Sequence, residues 1–315
     1  MTPSSRLFWS VVAAVGIMWP EPAYAWGPAA HLDFGLQMLR GTFVIAPIVR
    51  TLIARHATDY LYGCIAADIV VGKNRAQYVD HCHNWQNGLR LLDAARTDAR
   101  RALAWGFLSH LGADIVAHNY FVPFKTVESY RGRATRHAYW ELRFDRVAHD
   151  NERVWDTFST MKLGRYRDHD GFLQDSLPGR TSRLFSFRMS RRVFISAMTV
   201  MRLERWRATM RHLASRSRLH LHAAEVSECN GLAVRAIESL LREGEHSRTV
   251  TADPVGRDSL LAAKRLRATL RTLRSAGRLD EARWTEALPV LRRCFHDSIY
   301  APLELPDVAE LVARA

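Results

Sequence analysis

Apolar residues recur along most of this chain at helical spacing, most clearly over Gly35 to Leu39, Trp85 to Ala104, Val193 to Leu213, Gly231 to Arg242 and Leu260 to Ser275. Alternation of apolar and polar positions, the mark of a half-buried strand, is scarce. The pattern predicts an all-α protein. Gly63, Gly72, Gly112, Pro178-Gly179, Gly244 and Pro254 punctuate the helices. The cluster of Asp, Arg, Gly and Pro between Gly164 and Ser182 is the best candidate boundary. It separates a helical unit over residues 26–163 from an arginine-rich helical region over 164–315. Everything chemically suggestive lies before it, and no repeat or low-complexity tract is visible.

Residues 1–25 have the pattern of an export signal. Arg6 is followed by an apolar run from Leu7-Phe8-Trp9 to Ile17-Met18, then Pro20, Pro22 and Ala23-Tyr24-Ala25, which matches the A-x-A cleavage rule. The run is short for a membrane span, which needs about 20 residues. The mature protein is therefore expected to start at Trp26 and to be exported, to the periplasm or beyond. No other segment looks transmembrane.

Composition adds less. Hydrophobic residues make up 48% of the chain, enough for a real core. Lysine and arginine number 45 against 32 acidic residues, giving a formal charge of +13, and the sequence pI is about 10.2. That balance favours anionic partners. The arginines of 202–218 and 257–278 read either as solvated helix faces or as a membrane-docking surface. Four cysteines, Cys64, Cys82, Cys229 and Cys294, contain no C-x-x-C pair, which excludes a zinc ribbon and a dense disulfide framework. One or two disulfides remain open in an exported protein.

Chemistry concentrates in His110-Leu-Gly-Ala-Asp114-Ile-Val-Ala-His118. On a helix these three polar residues share one stripe, yet His110 and His118 lie about 12 Å apart along the axis and cannot share one small ion. Asp114 stands between them with two oxygens, so it can bridge two cations. Downstream, His137 and Glu141 sit four residues apart and, on an adjacent helix, could join His118 around an ion with one position open, the layout of catalytic zinc. A free amine at Trp26 and the imidazole of His31 could converge with Asp114 on another. Asp68 stands alone in an apolar stretch, where a bare carboxylate is too costly. It must cap a helix, pair with an arginine or bind a cation. His81 and His83 form a His-x-His pair, of which one is expected to be a direct ligand. Cys82 between them reads as a ligand, a buried thiol or half of a disulfide. His56, His149, His169, His212, His220, His222, His246 and His296 carry no such pattern.

From Trp26 to about Asp145 the chain resembles the bacterial zinc-dependent phospholipases C, whose sites hold three zinc ions in an all-helical fold. In order, Trp26, His31, Asp68, His81 or His83, His110 with Asp114, His118, and His137 with Glu141 match that family's motif. The resemblance implies one zinc on Asp68, His83 (or His81), His110 and Asp114, a second on His118, His137 and Glu141, and a third on the amine and carbonyl of Trp26 with His31 and Asp114. It implies a catalytic domain over 26–163 that hydrolyses phospholipid head groups at a membrane surface, with Asp68 as general base where zinc leaves it an oxygen. The compact His-x3-Asp-x3-His spacing is closer to the N-terminal domain of glycosylphosphatidylinositol-specific phospholipase D, which leaves the head group and the cleaved bond open.

Two rivals stand beside this. The S1/P1 single-strand nucleases are similar in fold and zinc count, and the positive charge suits them. They close their site with aspartate where Glu141 stands, however, and their Gly-Gly-Asn stretch is missing between His118 and His137, so no specific nucleic-acid partner is expected. A non-catalytic, metal-stabilised module binding lipid or envelope partners would have lost some ligands, and none is lost. Trp85, Trp105, Tyr120, Phe121, Phe124, Tyr139 and Trp140 read as either plain core or the lining of a lipid cleft.

Overall fold

The computed structural model describes residues 26–69, 83–132, 137–177, 181–182, 185–216, 219 and 221–314. These are helical apart from short connections and one antiparallel pair of two-residue strands, Thr181–Ser182 (β1) with Phe185–Ser186 (β2). The N-terminal half runs α1 (Pro28–Arg40), α2 (Pro47–Arg55), α3 (Ala57–Ala66) with a 3-10 turn (Ala67–Ile69), α4 (Trp85–Ala94) and α5 (Asp98–Val116). Next come a π-helical turn (Ala117–Phe121), α6 (Val122–Glu128), α7 (His137–His149), α8 (Glu152–Thr160) and α9 (Arg167–Ser176). After the strands the chain forms α10 (Phe187–Met201), α11 (Glu204–Arg216), α12 (Ala223–Glu243), α13 (Arg257–Ser275), α14 (Glu281–Asp297) and α15 (Val308–Arg314).

Helix α5 is the axis of the molecule. Between Ala102 and Val116 every residue except Trp105 is buried, because the sequence there is apolar on all sides, and such a helix must be surrounded. Helices α3, α4 and α12 do this. The α3–α5 crossing is closest at two glycines. A Cβ on Gly63 would lie 2.1 Å from the Leu103 carbonyl oxygen, and one on Gly106 would lie 2.0 Å from that of Tyr60. Both obstacles are backbone, so neither can swing aside.

The periodic stretch 85–104 is two helices rather than one. Asn84 caps α4 by accepting from the Gln86 amide at 2.8 Å, and Thr97 caps α5 by accepting from Arg100 at 3.3 Å. Each side chain takes up an amide that a helix start leaves unpaired. The C-terminal helices pack onto this frame, α12 on α5 and α13 on α6. Several arginines of the C-terminal half tie chain segments together. Arg202 donates to the Met161 carbonyl, and Arg267 and Arg271 donate to the carbonyls of Gly132 and Tyr130. Of the aromatics open to two readings, Trp85, Tyr120, Phe121, Phe124 and Trp140 are core, while Trp105 and Tyr139 are half-buried against it. Cys64, Cys229 and Cys294 are free thiols. Cys82 and the signal-like residues 1–25 lie outside the described residues. No helix among the described residues is long and apolar enough to cross a membrane.

Gly106→Ala should destabilise the protein by about 2 kcal/mol or more, since overfilling against backbone forces the helices apart. Gly112→Ala, whose Cβ would meet Ile237 at an ordinary 3.5 Å, should be neutral or stabilising. Urea unfolding of the two variants checks the contrast.

Candidate metal centre

The buried stripe of α5 carries His110 and Asp114, which are 1% and 0% exposed. Three other elements bring their side chains to it: Asp68 from the turn after α3, His83 from just before α4, and His31 from the first turn of α1. The described residues contain two groups whose ligand atoms are close enough to hold an ion, His31–Asp68–His110 and His83–His110–Asp114.

The spacing of these atoms is informative. His83 Nε2 lies 2.8 Å from His110 Nε2, 3.4 Å from Asp68 Oδ1 and 3.2 Å from Asp114 Oδ2. His110 Nε2 lies 3.2 Å from the same Asp114 oxygen and 3.8 Å from Asp68 Oδ1. A tetrahedral zinc with bonds of about 2.0–2.1 Å places its ligand atoms about 3.3 Å apart. His83, His110 and Asp114 lie close to that spacing, and Asp68 Oδ1 approaches the same two imidazoles. The other Asp114 oxygen, Oδ1, is 3.3 Å from His31 Nε2. Neither carboxylate oxygen of Asp114, nor His31 Nε2, makes a hydrogen bond of acceptable geometry. Buried donors and acceptors are rarely left so, and bound ions are one of the causes.

The protonation pattern agrees. His110 Nδ1 lies 2.9 Å from the Cys64 carbonyl, which can only accept, so Nδ1 carries the proton and Nε2 turns its lone pair to the cluster. Burial, reinforced by His110, lowers the His31 pKa and keeps its ring neutral. Burial would raise Asp114, but contacts with His110 and His31 hold its carboxyl well below the usual carboxylate range. A neutral His31 beside an ionised Asp114 suits the binding of a cation.

Trp26 is fully buried, its indole donating to the Ala113 carbonyl at 3.0 Å and packing on Phe144 at 4.0 Å between ring centres. That anchor sets the chain entering α1 beside Asp114. Asp145 completes the entry: its Oδ1 accepts from the Ala30 amide at 2.9 Å, standing in for the side chain that the N-cap Gly27 lacks. Asp145 thus acts on His31 through the start of α1.

His118 and Glu141 are buried, but neither belongs to the two close groups. The side chain of His137, and all of His81, lie outside the described residues. The sequence pattern treats 110, 114 and 118 as one α-helical stripe. In the structure His118 instead falls in the π-turn after α5, an insertion that rotates the succeeding helix and recurs at functional sites. His169, given no role from sequence, is buried with Nε2 2.7 Å from Asp59. Sequence reasoning also missed the segment Ala252 to Gly256, whose backbone lies against His118. Pro254 is the one hint of a turn there.

A buried carboxylate set between imidazoles is a donor set that suits zinc. Residues 30–183, just under half of the chain, match the family model of zinc-dependent phospholipase C. Over that segment the chain is similar to the zinc-dependent phospholipases C, the family that its motifs resemble. No curated protein and no solved structure gives a significant match.

Burial pushes the Asp145 carboxyl up to about 7, against about 4 in an unfolded chain. The folded state then holds a proton that the unfolded state has lost, so the metal-free protein should lose stability as pH rises from about 4 to about 7. Asp145→Asn keeps an oxygen for the Ala30 amide and should remove that slope. Urea midpoints of both proteins at pH 5 and pH 7.5 test it, and equal slopes would refute it.

Proposed function

We propose that this chain is an exported zinc-dependent phosphodiesterase that hydrolyses phospholipid head groups. The observation that carries the reading is the buried His83–His110–Asp114 group with Asp68 Oδ1 beside its imidazoles, which we assign to one zinc. Of the His-x-His pair, we assign His83 to this group. His31, with the amine and carbonyl of Trp26 once residues 1–25 are removed, would hold a second ion through the other oxygen of Asp114. His118, His137 and Glu141 would hold a third.

Bound there, zinc supplies positive charge for the phosphoryl oxygens and makes water acidic enough to be a nucleophile near neutral pH. The protein supplies the rest. Asp114 ties two sites to one rigid helix, so the donors keep their separation as charge builds on phosphorus. Asp68, beside His83 and His110, would accept the proton of the attacking water. The buried walls of α1, α3 and α5 keep bulk solvent from the donors, which strengthens each electrostatic contact. The formal charge of +13 suits peripheral contact with an anionic lipid surface.

The test is elemental analysis for zinc beside hydrolysis of phosphatidylcholine, a glycosylphosphatidylinositol and single-stranded DNA. The wild-type chain should carry about three zinc ions and cleave lipid, and Asp114→Asn should lose zinc and more than about 100-fold of the activity. Cleavage of DNA alone would turn the reading to a nuclease. Intact zinc with no cleavage would make the chain a binding module. Mass spectrometry of the exported protein should find Trp26 at its start, and any other start removes the amine ligand.

A further inference from the structure

Three consecutive carbonyls of the loop between α12 and α13 reach back to the segments that carry His83 and His118. Ala252 accepts from the Trp85 indole at 2.7 Å, Asp253 from the Asn119 amide group at 2.8 Å, and Pro254 from His118 Nδ1 at 2.6 Å. Trp85 stands two residues after His83, and Asn119 directly follows His118. The loop is itself held from both sides. The Asp253 carboxylate accepts from the Val255 and Arg257 amides at 3.0 Å each, and Ser259 Oγ donates to Asn119 Oδ1 at 3.3 Å. Gly256 then closes against the π-turn. Its φ is +59°, and a Cβ there would lie 2.3 Å from the His118 carbonyl oxygen and 2.5 Å from the His118 Cβ.

We infer that Ala252–Gly256 is a positioning latch for the metal centre, a backbone loop of the C-terminal half that fixes the tautomer and direction of His118. A carbonyl cannot donate, so the short contact with Pro254 places the proton on Nδ1 and leaves Nε2 as the coordinating atom. The π-turn makes this support necessary. Its wider backbone leaves His118 without the regular α-helical register that seats His110, and the loop supplies from outside the constraint that the helix does not. Residues 252–256 lie beyond the segment matched by the family, so the centre of this protein extends into its arginine-rich half. The inference rests on the zinc reading above, in which His118 is a ligand.

The experiment uses the full chain and zinc alone. Zinc is titrated in competition with a chromophoric chelator, and the absorption spectrum of the Co2+ form is recorded for wild type, Gly256→Ala, Asn119→Ala and Gly277→Ala. Gly277 also has a positive φ, +68°, but a Cβ there would meet nothing within 4 Å, so it reports backbone strain alone. Gly256→Ala and Asn119→Ala should each weaken one zinc by about 10- to 100-fold, leave the others unchanged and alter the Co2+ spectrum. Gly277→Ala should bind as wild type. If Gly256→Ala does not fold, Asn119→Ala decides. Variants that melt at lower temperature yet titrate every zinc like wild type would reduce the loop to packing and overturn the latch alone. A wild-type chain that takes up no zinc would overturn the zinc reading and the latch with it.

Discussion

Asp114 is an ionised carboxylate with no solvent exposure, on the most deeply buried helix of the molecule. Taking such a charge out of water costs several kcal/mol even after relaxation of the protein, on the order of the net stability of a whole domain. The chain meets this with imidazoles rather than arginines: His83 and His110 face one oxygen and His31 the other. A guanidinium would have neutralised the carboxylate permanently. Imidazoles can turn their lone pairs to an added cation, which makes the folded state and metal binding parts of one equilibrium. The glycine contact between α3 and α5 serves the same constraint. Only with the two backbones touching does the turn bearing Asp68 come level with His110.

Much of this was legible in the residues. The His110–Asp114 spacing, the isolated Asp68 in an apolar run and the early histidine at position 31 are side-chain signals, and each names an element that the fold brings to one place. The all-helical class was legible for a similar reason, since apolar periodicity records burial directly. The boundary between α4 and α5 was less so, because the break at Ala95–Thr97 interrupts the helix without disturbing the apolar period across it.

The features that sequence did not show are carried by backbone. The π-turn at Ala117–Phe121 changes the geometry of the stripe without changing its residues, so i, i+4 and i+8 spacing looks the same with or without it. The contacts of Ala252, Asp253 and Pro254 are made by carbonyls, which every residue has, and no side-chain pattern marks them. Asp145 was visible as a carboxylate one turn after Glu141. Its partner, an amide at the start of a helix 115 positions earlier, could be found only once the chain was folded.

The arginine excess also changes meaning in the folded chain. Arg202, Arg267 and Arg271 belong to stretches that read as solvated faces or docking patches, yet they direct hydrogen bonds to carbonyls of Met161, Gly132 and Tyr130. Gly132 and Tyr130 lie just before the α7 segment that carries His137 and Glu141, so the cations of α13 steady the approach to it. Together with α12 against α5, they bind the C-terminal helices to the same few elements that hold the donors. A charge count sees only an attraction to anions. The contacts show that part of this charge is used inside the molecule.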